Sequence, residues 1–104
     1  MESIKWEVMS KCYIAGKVSG MSYDKALRKF QSAEDKLRHW GFTPINPTKL
    51  CRSHWGWYRC MIVCLWNLLW CSHIALLDNW HDSRGARIEY KVAKLLNKKI
   101  VKLC

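Results

Sequence analysis

A chain of 104 residues, half of them hydrophobic and a quarter charged, is too apolar for a disordered tail and too short for two domains, so it reads as one small globular domain over residues 1–104. Lys and Arg number 18 against 8 Asp and Glu, a formal charge of +10. That balance favours a phosphate-bearing or polyanionic partner over a cationic one. Seven Trp supply much area to bury and predict an aromatic-rich core.

Met1 to Ser10 carries two Glu and one Lys and lacks the apolar stretch of a cleavable leader. With six Cys in the chain, this predicts a reducing cytoplasm and free thiols, most of them buried as small hydrophobes. Cys12 to Ala15 reads as a strand, and Gly16 to Gly20 as a glycine-bracketed turn. Ser22 is placed to cap a helix in which Tyr23, Ala26, Leu27, Phe30, Ala33, Leu37 and Trp40 recur at helical spacing until Gly41. Phe42 to Asn46 is a second short strand ended around Pro44 and Pro47, and Lys49 to Gly56 reads as a loop. Trp57 to Trp70 carries one formal charge, Arg59. It predicts a helix buried by the sheet on one side and by a second subunit on the other, so a homodimer or larger homo-oligomer is expected.

Cys60 to Leu77 is long enough to be weighed as a bilayer span. Asn67, Ser72 and His73 interrupt it, and its change of character predicts a helix followed by a third strand at Ile74 to Leu77, so no membrane partner is expected. Asp78 to Asp82 is a loop, Ser83 caps a helix to about Asn97, and Ile100 to Leu103 is the last strand. The alternation implies an α/β fold, an open parallel sheet of about four strands covered on both faces. Ligands in such sheets bind beyond the carboxyl ends of the strands.

That rule selects the loops Gly16 to Ser22 and Asp78 to Ala86. In the second, Ser83, Arg84, Gly85 and Ala86 open a helix whose free amides and dipole favour an anion, with Arg84 able to grip a phosphate. Glu89 shares a side with Gly85, Ala86 and Ala93, which leave space for a ligand. A carboxylate there can attack an anomeric carbon and split glycosidic exchange into two displacements, or be a solvated Glu paired with Arg87 or Lys91. Asp78 and Asp82 are candidates for a second acid/base group or plain turn residues. Cys51, His54, Cys60 and Cys64 are ligand types that zinc accepts, but their spacing is not that of a standard finger, so no metal and no cofactor is expected. Lys91, Lys94, Lys98, Lys99 and Lys102 fit a solvated helix face better than a nucleic-acid patch.

Several stretches together carry a resemblance: Tyr13-Ile14-Ala15-Gly16, Ser19-Gly20-Met21, Gly41-Phe42 with Pro44, Asn46 and Pro47, Trp57 with Met61, Cys71, and the run from Leu76 through Trp80 and Ser83-Arg84-Gly85-Ala86-Arg87 to Glu89. Over residues 11–103 the chain resembles a family of small bacterial and phage domains of uncharacterised function, itself similar to nucleoside 2-deoxyribosyltransferases. The resemblance implies a flavodoxin-like sheet, an oligomer, and a nucleoside or nucleotide pocket. It makes Glu89 the match of the catalytic glutamate of the transferases and of deoxynucleotide N-hydrolases. Tyr13 and Gly16 would line the sugar and base site, Ser83, Gly85 and Ala86 would cup a 5′-phosphate, and Ser19, Trp80 and Arg84 are further ligand-binding candidates. Cys64 stands where the transferases carry an Asp that orients sugar and glutamate, and Ser72 where an Asp follows the family's Cys. The expected function is therefore nucleoside or nucleotide binding with cleavage or transfer of the N-glycosidic bond through Glu89. The alternative is a non-catalytic nucleotide-sequestering protein of phage or bacterial origin.

Overall fold

The computed structural model describes residues 10–18, 22–51 and 55–103. Its elements are β1 (Lys11–Ala15), α1 (Tyr23–His39), β2 (Thr43–Ile45), α2 (Pro47–Leu50), α3 (Trp57–Leu69), β3 (His73–Leu76), a 3-10 turn (Trp80–Asp82), α4 (Arg84–Leu95) and β4 (Lys99–Lys102). The strands form one parallel sheet in the order β2-β1-β3-β4. That is the flavodoxin-like order without its fifth strand.

Strand alternation sorts the core into two layers. Cys12 and Ile14 of β1, with Ala75 and Leu77, face Phe30, Ala33 and Leu37 of α1. Tyr13 and Ala15, with Ile74 and Leu76, face Cys64 and Leu68 of α3 and Ala86 and Ala93 of α4. Pro44 sits in β2, where a missing N–H costs nothing on the outer side of an edge strand. Helix α1 ends at His39 with Trp40 as its C-cap, followed by Gly41 at φ 91°, a backbone region that glycine enters without penalty.

Three expectations are corrected. The Ser22 side chain does not cap α1; its carbonyl accepts from Ala26 N at 3.0 Å and starts the helix. The stretch expected to be loop from Lys49 begins inside the one-turn helix α2, started by Pro47 and capped by the Asn46 side chain on Thr48 N. The core is not aromatic-rich. Tyr13 and Phe30 are its only buried aromatics among the described residues, while Trp40, Trp57, Trp66 and Trp70 are exposed. Small residues explain this: Ala15, Ala26, Ala33, Ala75, Ala86 and Ala93 are all buried and let the helices lie too close to the sheet to admit an indole.

Helix α3 buries only Cys64 and Leu68, and no described helix is long and apolar enough to cross a membrane. Its outward stripe of Tyr58, Ile62, Trp66, Leu69 and Trp70 is exposed. Beneath the opposite layer, Glu34 is 4% exposed and accepts hydrogen bonds from Asn46, Arg38 and Lys49 at 3.2, 3.1 and 3.0 Å, tying α1 to α2. Burial pushes this carboxyl up, and the hydrogen bonds outweigh it to hold the pKa below the ordinary value.

Candidate functional site

After β1 the chain goes outward to β2 and then returns across β1 to β3, so the sheet reverses direction between β1 and β3. A crevice opens beyond the carboxyl ends of strands at such a point. The loops on its two sides are stitched together: Lys17 N donates to Asn79 Oδ1 at 3.0 Å, and Leu77 N to the Ala15 carbonyl at 2.9 Å. Gly16 is required by the closeness of this seam, because a Cβ there would fall within 3 Å of three atoms of the Leu77 side chain.

A cavity of about 350 Å³ occupies the crevice. Tyr13, Gly16, Ser83, Gly85, Ala86 and Glu89 all line it, so the structure gathers six of the residues selected from sequence. Ser83 caps α4 by accepting from Ala86 N at 3.1 Å, and the first turn of α4 therefore opens on the cavity with its amides directed along the helix axis. Gly85 lets α4 approach α3, since a Cβ there would meet Met61 Sδ at 3.0 Å.

Glu89 lies at the inner end, 5% exposed. Burial pushes its carboxyl up to about 7, and the Tyr13 hydroxyl, donating to Glu89 Oε2 at 2.5 Å, opposes that rise. Tyr13 itself is held protonated by burial first and by the neighbouring carboxylate second. The pair is thus a poised carboxyl beside a fixed hydroxyl donor.

Other candidates are placed elsewhere. Asp78 lies against α1, where the hydrogen bond from Lys29 Nζ at 2.7 Å holds its carboxyl below the usual range; it is not among the cavity's residues. Leu77 faces α1, and the chain beyond it carries Asp78 to that side of the sheet. Asp82 is exposed in the 3-10 turn. Trp80 is a packing residue, its ring 4.6 Å from Tyr90 and 3.9 Å from His81. Arg84 is exposed at the rim, its guanidinium 4.7 Å above the ring of Trp57, which lines the cavity. Ser19 and His54 lie outside the described residues.

The remaining walls were not among the ligand-binding residues named from sequence, although Cys51, Cys60 and Cys64 stood there as zinc-type ligands. Tyr23 and Phe30 come from α1, Pro47 and Thr48 from α2, and Trp55, Trp57 and Met61 from α3 and the chain before it. Cys51, Cys60 and Cys64 add a sulfur wall. The expectation of free thiols is corrected here: Cys51 and Cys60 are joined by a disulfide, while Cys12, Cys64 and Cys71 are free and buried. The thiol count therefore no longer argues for a reducing compartment. Burial pushes the Cys64 thiol up to about 11 against the pull of its hydrogen bond with Tyr13. Among the described residues of the cavity, Glu89 is the only acidic one.

Residues 10–102 match a domain of unknown function, DUF4406. The chain belongs to the DUF4406 family. Nearly the whole described fold falls within the match, including both loops at the crevice and all of α4. No curated protein matches this DUF4406 chain.

Proposed function

We propose that the cavity binds a nucleoside or nucleotide and that Glu89 cleaves or transfers its N-glycosidic bond as a nucleophile. The observation that carries this reading is the placement of one buried carboxyl, hydrogen-bonded to Tyr13, in the same cavity as the N-terminal turn of α4. The reading also rests on the resemblance carried by the Trp80 to Glu89 run to the small-domain family, itself similar to nucleoside 2-deoxyribosyltransferases, which would make Glu89 the match of their catalytic glutamate. Glu89 Oε attacks the anomeric carbon, the carbon–nitrogen bond breaks, and its electron pair leaves with the base, which takes a proton from solvent. Water, or a second base, then displaces the carboxylate from the sugar and restores Glu89. Tyr13 holds the carboxyl in place and stabilises its charge, while the seam at Gly16 and Leu77 fixes the floor of the site.

The first turn of α4 and Arg84 suit a 5′-phosphate. Arg84→Ala is expected to weaken a 5′-monophosphate by about tenfold, the size of one charge-assisted contact, and to leave the parent nucleoside nearly unaffected. Calorimetric titration of both ligands measures the difference, and equal loss for the two removes Arg84 from the phosphate site.

A second reading, nucleotide sequestration without turnover, is favoured by one observation: no second acid lines the cavity among the described residues, in keeping with the resemblance, which sets Cys64 against the transferases' orienting Asp. Native mass spectrometry after incubation with nucleosides and nucleotides separates the two. Release of free base supports the enzyme, retention of intact nucleotide supports sequestration, and absence of both overturns nucleotide recognition altogether.

The stripe of Tyr58, Ile62, Trp66, Leu69 and Trp70 has no charge on a chain of net +10. A second copy docking there meets its like-charged partner with the charges turned away, which makes this the face for a homodimer. Light scattering is expected to give twice the chain mass, with Ile62→Lys reverting it to one chain; a monomeric parent protein contradicts the assignment.

A further inference from the structure

Three cysteines meet at one corner of the cavity by independent routes. Cys60 and Cys64 share a face of α3, one turn apart, and Cys51 is carried onto them as the residue that ends α2. The three sulfurs lie within 4.8 Å of one another. Two of them form the Cys51–Cys60 disulfide, and the Cys64 sulfur stands 3.8 Å from Cys51 Sγ and 3.9 Å from Cys60 Sγ.

Those two distances match coordination of one ion. Zinc–sulfur bonds of about 2.3 Å place thiolates about 3.8 Å apart around a tetrahedral ion and about 4.0 Å apart in a planar three-coordinate one. Only the Cys51–Cys60 separation has to open, and reduction opens it. We propose that, once the disulfide is reduced, Cys51, Cys60 and Cys64 bind a thiophilic divalent cation of the zinc class through three thiolates. The remaining coordination position faces the cavity, since all three cysteines line it.

The chemistry balances in two steps. A phosphine reductant gives two electrons to the disulfide and becomes a phosphine oxide with oxygen from water, leaving two thiols at Cys51 and Cys60. The cation then displaces three thiol protons to the buffer. A competing use of the same geometry is exchange, in which the Cys64 thiolate attacks the disulfide. The two uses leave different products: exchange ends in a disulfide to Cys64, whereas coordination keeps three thiolates on one ion.

The test titrates the phosphine-reduced full chain with Co²⁺ under anaerobic conditions, followed by displacement with Zn²⁺. One cobalt per chain with thiolate-to-cobalt charge-transfer absorption is expected. Cys64→Ser and Cys51→Ser each lower the affinity at least about a hundredfold, beyond what loss of an outer-shell partner costs. Cys71→Ala, a buried thiol outside the cluster, leaves it unchanged. Glu89→Gln also retains the ion, which separates this site from the proposed chemistry at Glu89. Absence of the charge-transfer band, or equal affinity in Cys64→Ser, overturns the proposal. So does peptide mapping that finds disulfides to Cys64 in a protein that binds no cobalt after reduction, because the cluster is then an exchange relay.

Discussion

Glu89→Gln is expected to lower base release from a nucleoside substrate by at least about 10⁴-fold while changing ligand affinity by no more than about tenfold, the pattern of a group that acts in the transition state. The amide preserves the shape of the side chain and an oxygen for the Tyr13 hydroxyl, so the cavity keeps its walls and loses only its nucleophile. Attack requires the ionised carboxyl, whose folded pKa is about 7. The rate of the parent protein should therefore climb with pH through that value and level above it. Tyr13→Phe deletes the hydrogen bond that holds the carboxyl down, which moves the rising limb to higher pH as well as slowing turnover. Steady-state kinetics across pH with free-base quantification reads both effects. A limb that stays in place in Tyr13→Phe contradicts the role given to the Tyr13 hydroxyl.

The same carboxyl sets the second large effect, on stability. In the unfolded chain Glu89 ionises near 4.5, and in the fold near 7. A raised folded pKa means that its contribution is fully present below 4.5 and is lost as pH rises through 7, a change of about 3 kcal/mol. Glu34 acts in the opposite direction. Its folded pKa is depressed, so its contribution is present above the ordinary value and is lost as pH falls through the folded one. Urea unfolding as a function of pH should thus show maximum stability in mildly acidic buffer, with separate losses on either side. In Glu89→Gln the loss on the alkaline side disappears, and at about pH 8 this variant should be more stable than the parent protein by about 3 kcal/mol. Parallel curves for the two proteins would show that Glu89 is not buried as an acid.

The strands and their parallel orientation were legible in the sequence because each short apolar run alternates with a helical repeat, and Phe30, Ala33 and Leu37 mark the buried face of α1 by spacing alone. Part of the site was legible for the same reason: Gly85, Ala86 and Glu89 fall on one helix face, and the order of strands sends that face to the crevice. Tryptophan content was a poor guide, since composition counts apolar area without saying where it goes, and six buried alanines had already claimed the close contacts. Asp78 is next to the crevice in sequence yet turns to Lys29. Which side a chain leaves a strand on depends on the packing of Leu77, not on the residue's chemistry. The meeting of Cys51 with Cys60 and Cys64 depends on how the one-turn helix α2 lies against α3, which spacing along the chain does not encode.

N-glycosidic chemistry at Glu89 is tested by incubation of the protein and its Glu89→Gln variant with a mixture of deoxynucleosides, their 5′-monophosphates and cyclic nucleotides, with free base and retained ligand quantified by mass spectrometry. Release of a free base by the parent protein, lost in the variant whose ligand retention is intact, is the predicted result. Base release that survives Glu89→Gln unchanged, or the failure of both proteins to retain or cleave any of these compounds, would contradict it.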